Sequence, residues 1–150
     1  MERITPNQAI RNAIEAEHAA ARFYSLLADS TVDRWSRAFL EDMAGYERRH
    51  ARHVQQLGAM LVDGPLAERA DSDIGLVETL DDWRFVDDIG MEQALAVALA
   101  AEERAALFYD AVAEYFDEPV KSFFLGLAAT EEAHATELRD RQRSLGVKPG

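Results

Sequence analysis

At 150 residues, 48% of them hydrophobic, the chain fits one domain spanning 1–150 with a core of ordinary size. It has no cysteine, which excludes structural disulfides, iron–sulfur clusters, thiolate zinc sites and thiol nucleophiles. With 28 acidic against 16 basic residues and a net charge of −12, it suits metal cations better than nucleic acid. No stretch approaches the roughly 20 apolar residues of a membrane helix, and the start, MERITPNQ, has no apolar run. A cytoplasmic protein without membrane contact is expected.

The first helix opens at Thr5-Pro6-Asn7-Gln8: a cap residue, Pro at the first helical position, and Gln at capping-box spacing. It is expected to run to about Ala28. Asp29 to Asp33 is long enough only for a short turn, so a second helix, from about Arg34 to Leu61, returns antiparallel. Val62 to Gly90 holds Gly64-Pro65, Gly75 and Gly90 and is long for a connection in a compact domain. It suffices to cross the length of a bundle, roughly 40 Å at 1.5 Å per helical residue. Within it, Leu76 to Val86, with Trp83 and Phe85, is expected to form a short helix. The third helix begins near Met91 and runs to Phe116. After the reversal at Asp117-Glu118-Pro119, a fourth helix starts at Pro119 and ends before Gly146. The expected fold is all-α, a four-helix bundle of two antiparallel hairpins, about 5–61 and about 91–146, joined by the crossover 62–90.

Each helix has an apolar stripe at steps of three and four, and each stripe is interrupted by charge. The first reads Ile10, Ile14, Glu17, Ala21, Tyr24. The second reads Leu40, Met43, Glu47, His50, Val54, Leu57, Leu61. The third reads Leu95, Leu99, Glu102, Ala106, Tyr109, Ala113, Phe116, and the fourth Val120, Phe124, Leu127, Glu131, His134, Leu138. Burying one unpartnered carboxylate costs several kcal/mol, against a domain stability of about 5–15 kcal/mol. Four such groups call for a shared cation.

Residues three apart share a helix face, so Glu47 with His50 and Glu131 with His134 each clamp one ion, with Glu17 and Glu102 completing a two-metal site. This is the arrangement known from di-iron and di-manganese carboxylate bundles. Mixed carboxylate and imidazole ligands favour iron or manganese over copper or structural zinc, and two Fe ions are expected, with Mn as the alternative. The hairpins repeat one another: Glu17 and Tyr24 match Glu102 and Tyr109 at the same seven-residue interval, and each hairpin adds one Glu-x-x-His. A pseudo-twofold site with three ligands from each half follows. Tyr24 and Tyr109 are expected to hydrogen-bond ligand carboxylates and fix their orientation. His18 and His53 lie off the ligand phase, and Glu103 and Glu132 point to other faces.

With these motifs, residues 5 to 146 resemble the ferritin-like superfamily, and within it rubrerythrin-type and bacterioferritin-type domains. The residues alone leave open which carboxylate bridges the metals. The resemblance implies that Glu47 and Glu131 bridge, that His50 and His134 are terminal imidazoles, and that Glu17 and Glu102 are terminal carboxylates. It also implies a non-haem di-iron oxidoreductase that reduces H2O2 or O2 as Fe2+ is oxidised, a peroxidase or a ferroxidase.

Four departures shape that expectation. Ala105 stands where rubrerythrin peroxidases carry an extra glutamate. With no cysteine, a peroxidase needs a separate electron donor. Arg48 stands where bacterioferritins ligate haem with methionine, so haem is not expected. The fifth helix of ferritin cages has no counterpart after Gly146, which points to a homodimer. The alternative function is non-catalytic iron binding, transfer or storage.

Overall fold

The computed structural model describes residues 4–71 and 91–146. They form four helices: α1 Pro6–Asp29, α2 Arg34–Ala59, α3 Met91–Ala113 and α4 Val120–Gly146. Helices α1 and α2 pack closely as one hairpin and α3 and α4 as the other, with α1 meeting α3 between them. Two antiparallel hairpins in a four-helix bundle is the fold that the stripes predict.

The helix boundaries follow local chemistry. Thr5 caps α1 by accepting a hydrogen bond from the Gln8 amide at 3.1 Å, with Pro6 as the first helical residue. The reciprocal half of the capping box does not form, because the Gln8 side-chain amide is drawn to Asn12 Oδ1 and the Arg69 carbonyl, both at 3.0 Å. Asp33 caps α2 through the Ser36 amide at 2.8 Å. Helix α2 ends at Ala59 and α3 at Ala113, each short of the expected end. Helix α4 starts at Val120 rather than Pro119, after a cis Glu118–Pro119 peptide, and its last residue is Gly146. The Glu118 carboxylate accepts from the Ser122 amide and hydroxyl, which lowers its pKa.

The stripes are largely buried, with Leu99 and Phe116 half-buried, except at the end of α2, where Leu57 is exposed and Gly58 is buried in its place. A Cβ at Gly58 would collide with Cγ2 of Ile10, so this glycine is what lets α1 and α2 approach there. The start of the crossover is tied to α1 by polar side chains. Asn7 donates to the Pro65 carbonyl at 2.9 Å and accepts from the Ala67 amide at 2.7 Å, while buried Asn12 binds the backbone and carboxylate of Asp71. The expected helix at Leu76 to Val86 lies outside the described residues.

The core falls into two apolar clusters. One gathers Phe23, Tyr24, Leu27, Leu40, Met43, Leu95 and Leu138, and the other Ile10, Ile14, Val54, Tyr109, Val120, Phe124 and Leu127. Glu17, Glu47, Glu102 and Glu131, all fully buried, belong to neither.

Candidate metal centre

One carboxylate comes from each helix because each glutamate occupies a core position of its own stripe. All six predicted side chains converge. Glu17, Glu47, His50 and Glu131 place ligand atoms within 4.8 Å of one another, and so do Glu47, Glu102, Glu131 and His134. The two groups share Glu47 and Glu131. Exchanging the hairpins turns one group into the other, which is the pseudo-twofold relation that the repeat predicts.

The tyrosines obey the same exchange, with a crossing that the sequence does not reveal. Tyr24, on α1, donates its hydroxyl to Glu102 Oε1 on α3, and Tyr109, on α3, donates to Glu17 Oε1 on α1 at 3.0 Å. Each tyrosine belongs to a different apolar cluster, so the two phenols reach the carboxylates from opposite sides along the bundle. Each hairpin thereby orients a glutamate of the other.

His50 Nδ1 lies 3.1 Å from Glu17 Oε2. His134 Nδ1 faces Glu47, Glu102 and Glu131 at 3.4, 3.5 and 3.8 Å, where it makes an ion-pair contact with each and a good hydrogen bond with none. Both oxygens of Glu47, and Oε2 of Glu102, are buried without a hydrogen-bond donor. Buried acceptors in this state are costly. A divalent cation between them would satisfy them, so the donor set fits a metal pair.

Protons carry part of the charge balance in the metal-free cluster. Burial pushes the Glu47 carboxyl well above the usual range; His134 counters this in part, and the charges of Glu17 and Glu102 reinforce it. For His134, burial works to lower the pKa, but the contacts with Glu102 and Glu47 outweigh it and push it up to about 10. Burial also raises Glu17, but His50, Glu47 and Glu131 together hold it down at about 2. A proton on His134 thus supplies part of the positive charge that a cation would bring, and burial favours the neutral form of Glu47.

The remaining polar residues lie outside both groups. His53 is exposed, His18 is half-buried, Glu132 is exposed, and Glu103 pairs with Arg139 at 3.2 Å. Ala105 is buried and brings no further carboxylate. Tyr46, absent from the predicted site, has its ring edge-on to His134 at 4.6 Å and tilted against His50 at 5.9 Å. Its one signal in the sequence is its place beside Glu47, since it stands off the apolar stripe.

Residues 93–149, which carry Glu102, Tyr109, Glu131 and His134, match the family model described as Rubrerythrin. Among curated proteins none matches. A solved structure, a hypothetical protein from Pyrococcus furiosus, is similar over 93% of this chain and 89% of its own, with 21% identity and a TM-score of 0.61. At that identity the likeness speaks for the fold. The chain is therefore a four-helix-bundle protein whose second hairpin matches the Rubrerythrin family model.

Proposed function

We propose that the protein is a non-haem di-iron carboxylate oxidoreductase that oxidises Fe2+ while reducing hydrogen peroxide or dioxygen. The observation that carries this reading is the pair of buried four-residue groups sharing Glu47 and Glu131. In this reading Glu17 and His50 would hold one iron, Glu102 and His134 the other, and Glu47 and Glu131, common to both groups, would be shared between them. Iron bound there would supply two electrons to break the O–O bond of peroxide, or the first two taken up by dioxygen.

The chain's own contribution is positional. Tyr109 and Tyr24 hold one oxygen each of Glu17 and Glu102, leaving the second oxygen turned into the cluster. The apolar clusters keep water from the carboxylates on both sides. Since only the deprotonated forms ligate, loading must displace the proton that His134 holds and work against the raised pKa of Glu47.

Anaerobic Fe2+ titration followed by rapid mixing with H2O2 or O2 tests the reading. Catalysed oxidation with peroxide much the faster oxidant supports a peroxidase, and preference for O2 a ferroxidase. The buried Ala105, which adds no seventh ligand for an iron to shift onto, favours the ferroxidase. Iron bound without faster oxidation than in buffer would leave the non-catalytic iron-binding role.

A further inference from the structure

The carboxylates of the cluster have no exposed surface, whereas the side chains of His134 and His50 keep 10% and 9% of theirs. Among the described residues the cluster is therefore reachable at its imidazole edge, and the one ring that packs against both imidazoles is Tyr46. Tyr46 itself is 38% exposed and lines a cavity of about 410 Å3 that His134 also lines. Phe39 and Met43 extend one wall of this cavity along α2, and Glu137 and Arg141 form the other on α4. Arg141 stacks over the Phe39 ring at 3.9 Å, linking the two walls. The outer lining is balanced, Asp42 and Glu137 against Arg49 and Arg141, and once His134 has given up its proton to ligate, the lining adds no net charge to draw in a cation. It suits a small neutral reactant.

We propose that this cavity between α2 and α4 is the entrance by which the neutral oxidant reaches the metal pair, and that Tyr46 sets the size limit, admitting hydrogen peroxide or dioxygen and holding back organic hydroperoxides. The proposal rests on the di-iron reading above. Tyr46 acts here by bulk, as a specificity-determining residue, and its phenol takes no part in the chemistry.

The test compares the wild type with Tyr46→Ala, Tyr46→Phe and Tyr46→Trp, each loaded anaerobically with Fe2+ and its iron counted first. One readout needs no turnover: the rate at which small 2,2′-bipyridine and bulky bathophenanthroline disulfonate extract the iron. The other is the oxidation rate with H2O2 and with tert-butyl hydroperoxide, each of which takes two electrons and two protons as its O–O bond breaks to give water and, respectively, water or the alcohol. Tyr46→Ala is expected to raise the bulky-to-small rate ratio about tenfold or more in both readouts, the scale on which pocket size discriminates. Tyr46→Phe should match the wild type, and Tyr46→Trp should lower the ratio. A ratio of extraction rates that neither Ala nor Trp changes overturns the proposal, whatever the peroxide rates do. If the wild type fails to hold two irons, the di-iron reading itself has failed and the entrance falls with it. Two irons held with an unchanged ratio would overturn the entrance alone.

Discussion

Glu47 and Glu131 stand in both ligand groups, whereas Glu17 and Glu102 each stand in one. Substitution should separate these roles. Glu47→Ala or Glu131→Ala is expected to abolish binding of both irons, and Glu17→Ala or Glu102→Ala to leave about one per chain, as read by metal analysis after gel filtration. The tyrosines act one step further out. Tyr109→Phe removes the donor to Glu17 Oε1 without changing the shape of the core, and a loss of about 10–100-fold in iron affinity is expected, as for other partners that orient a ligand. Tyr24→Phe should act alike through Glu102.

Protonation gives a second test at the same scale. The folded metal-free protein keeps a proton on His134 up to about pH 10, while the unfolded chain releases it near 6.5. The folded state therefore binds more protons between those values, and its stability falls as pH rises through them. Glu47, raised by burial, pulls the same way above the ordinary carboxylate value of 4.5. Glu17, held at about 2, acts in the opposite sense: its contribution is present above 4.5 and lost as pH falls toward 2. Thermal melts of chelated protein should show Tm declining from about pH 6.5 upward, and Fe2+ binding in weakly buffered solution should release protons.

At the scale of elements, the bundle is two hairpins joined at a polar seam. Within each hairpin the helices pack closely, but between hairpins polar ties run through the cluster: Tyr24 to Glu102, Tyr109 to Glu17, and His134 to Glu47. Arg141 over Phe39 is a further tie between α2 and α4. A metal pair bound by both halves would fasten this seam. Ligand at about 100 times its Kd stabilises a fold by roughly 2.7 kcal/mol, which in a domain of this size raises Tm by about 5–10 °C. Melts with Fe2+ or redox-inert Co2+, against chelator, measure this directly. Gly58 makes a separate prediction inside the first hairpin. Gly58→Ala gains helix propensity but forces a Cβ onto buried, β-branched Ile10, and a net loss of about 1–2 kcal/mol in chemical denaturation is expected.

Over the whole molecule, what the sequence made legible was whatever a single helix states by itself. The stripe through Ile10, Ile14, Glu17, Ala21 and Tyr24 defines a buried face and places a carboxylate on it, so the six converging side chains could be read from four separate periodicities. Helix ends were less legible, because α2 stops where Gly58 packs against α1, a tertiary fact. The diversion of Gln8 to Arg69 depends likewise on a loop 61 residues away. The crossed tyrosine bonds and the place of Tyr46 over both imidazoles arise only when the hairpins meet, and no interval along the chain encodes them. Among the described residues no helix is long and apolar enough to cross a membrane, in keeping with stripes that cover only one face.

The most direct test of the central claim is the count of Fe2+ bound per chain under anaerobic conditions, in the wild type and in Glu47→Ala. Two irons per chain, falling to none in the variant, is the predicted result. Fewer than one iron in the wild type, or two retained without Glu47, would contradict the shared metal site.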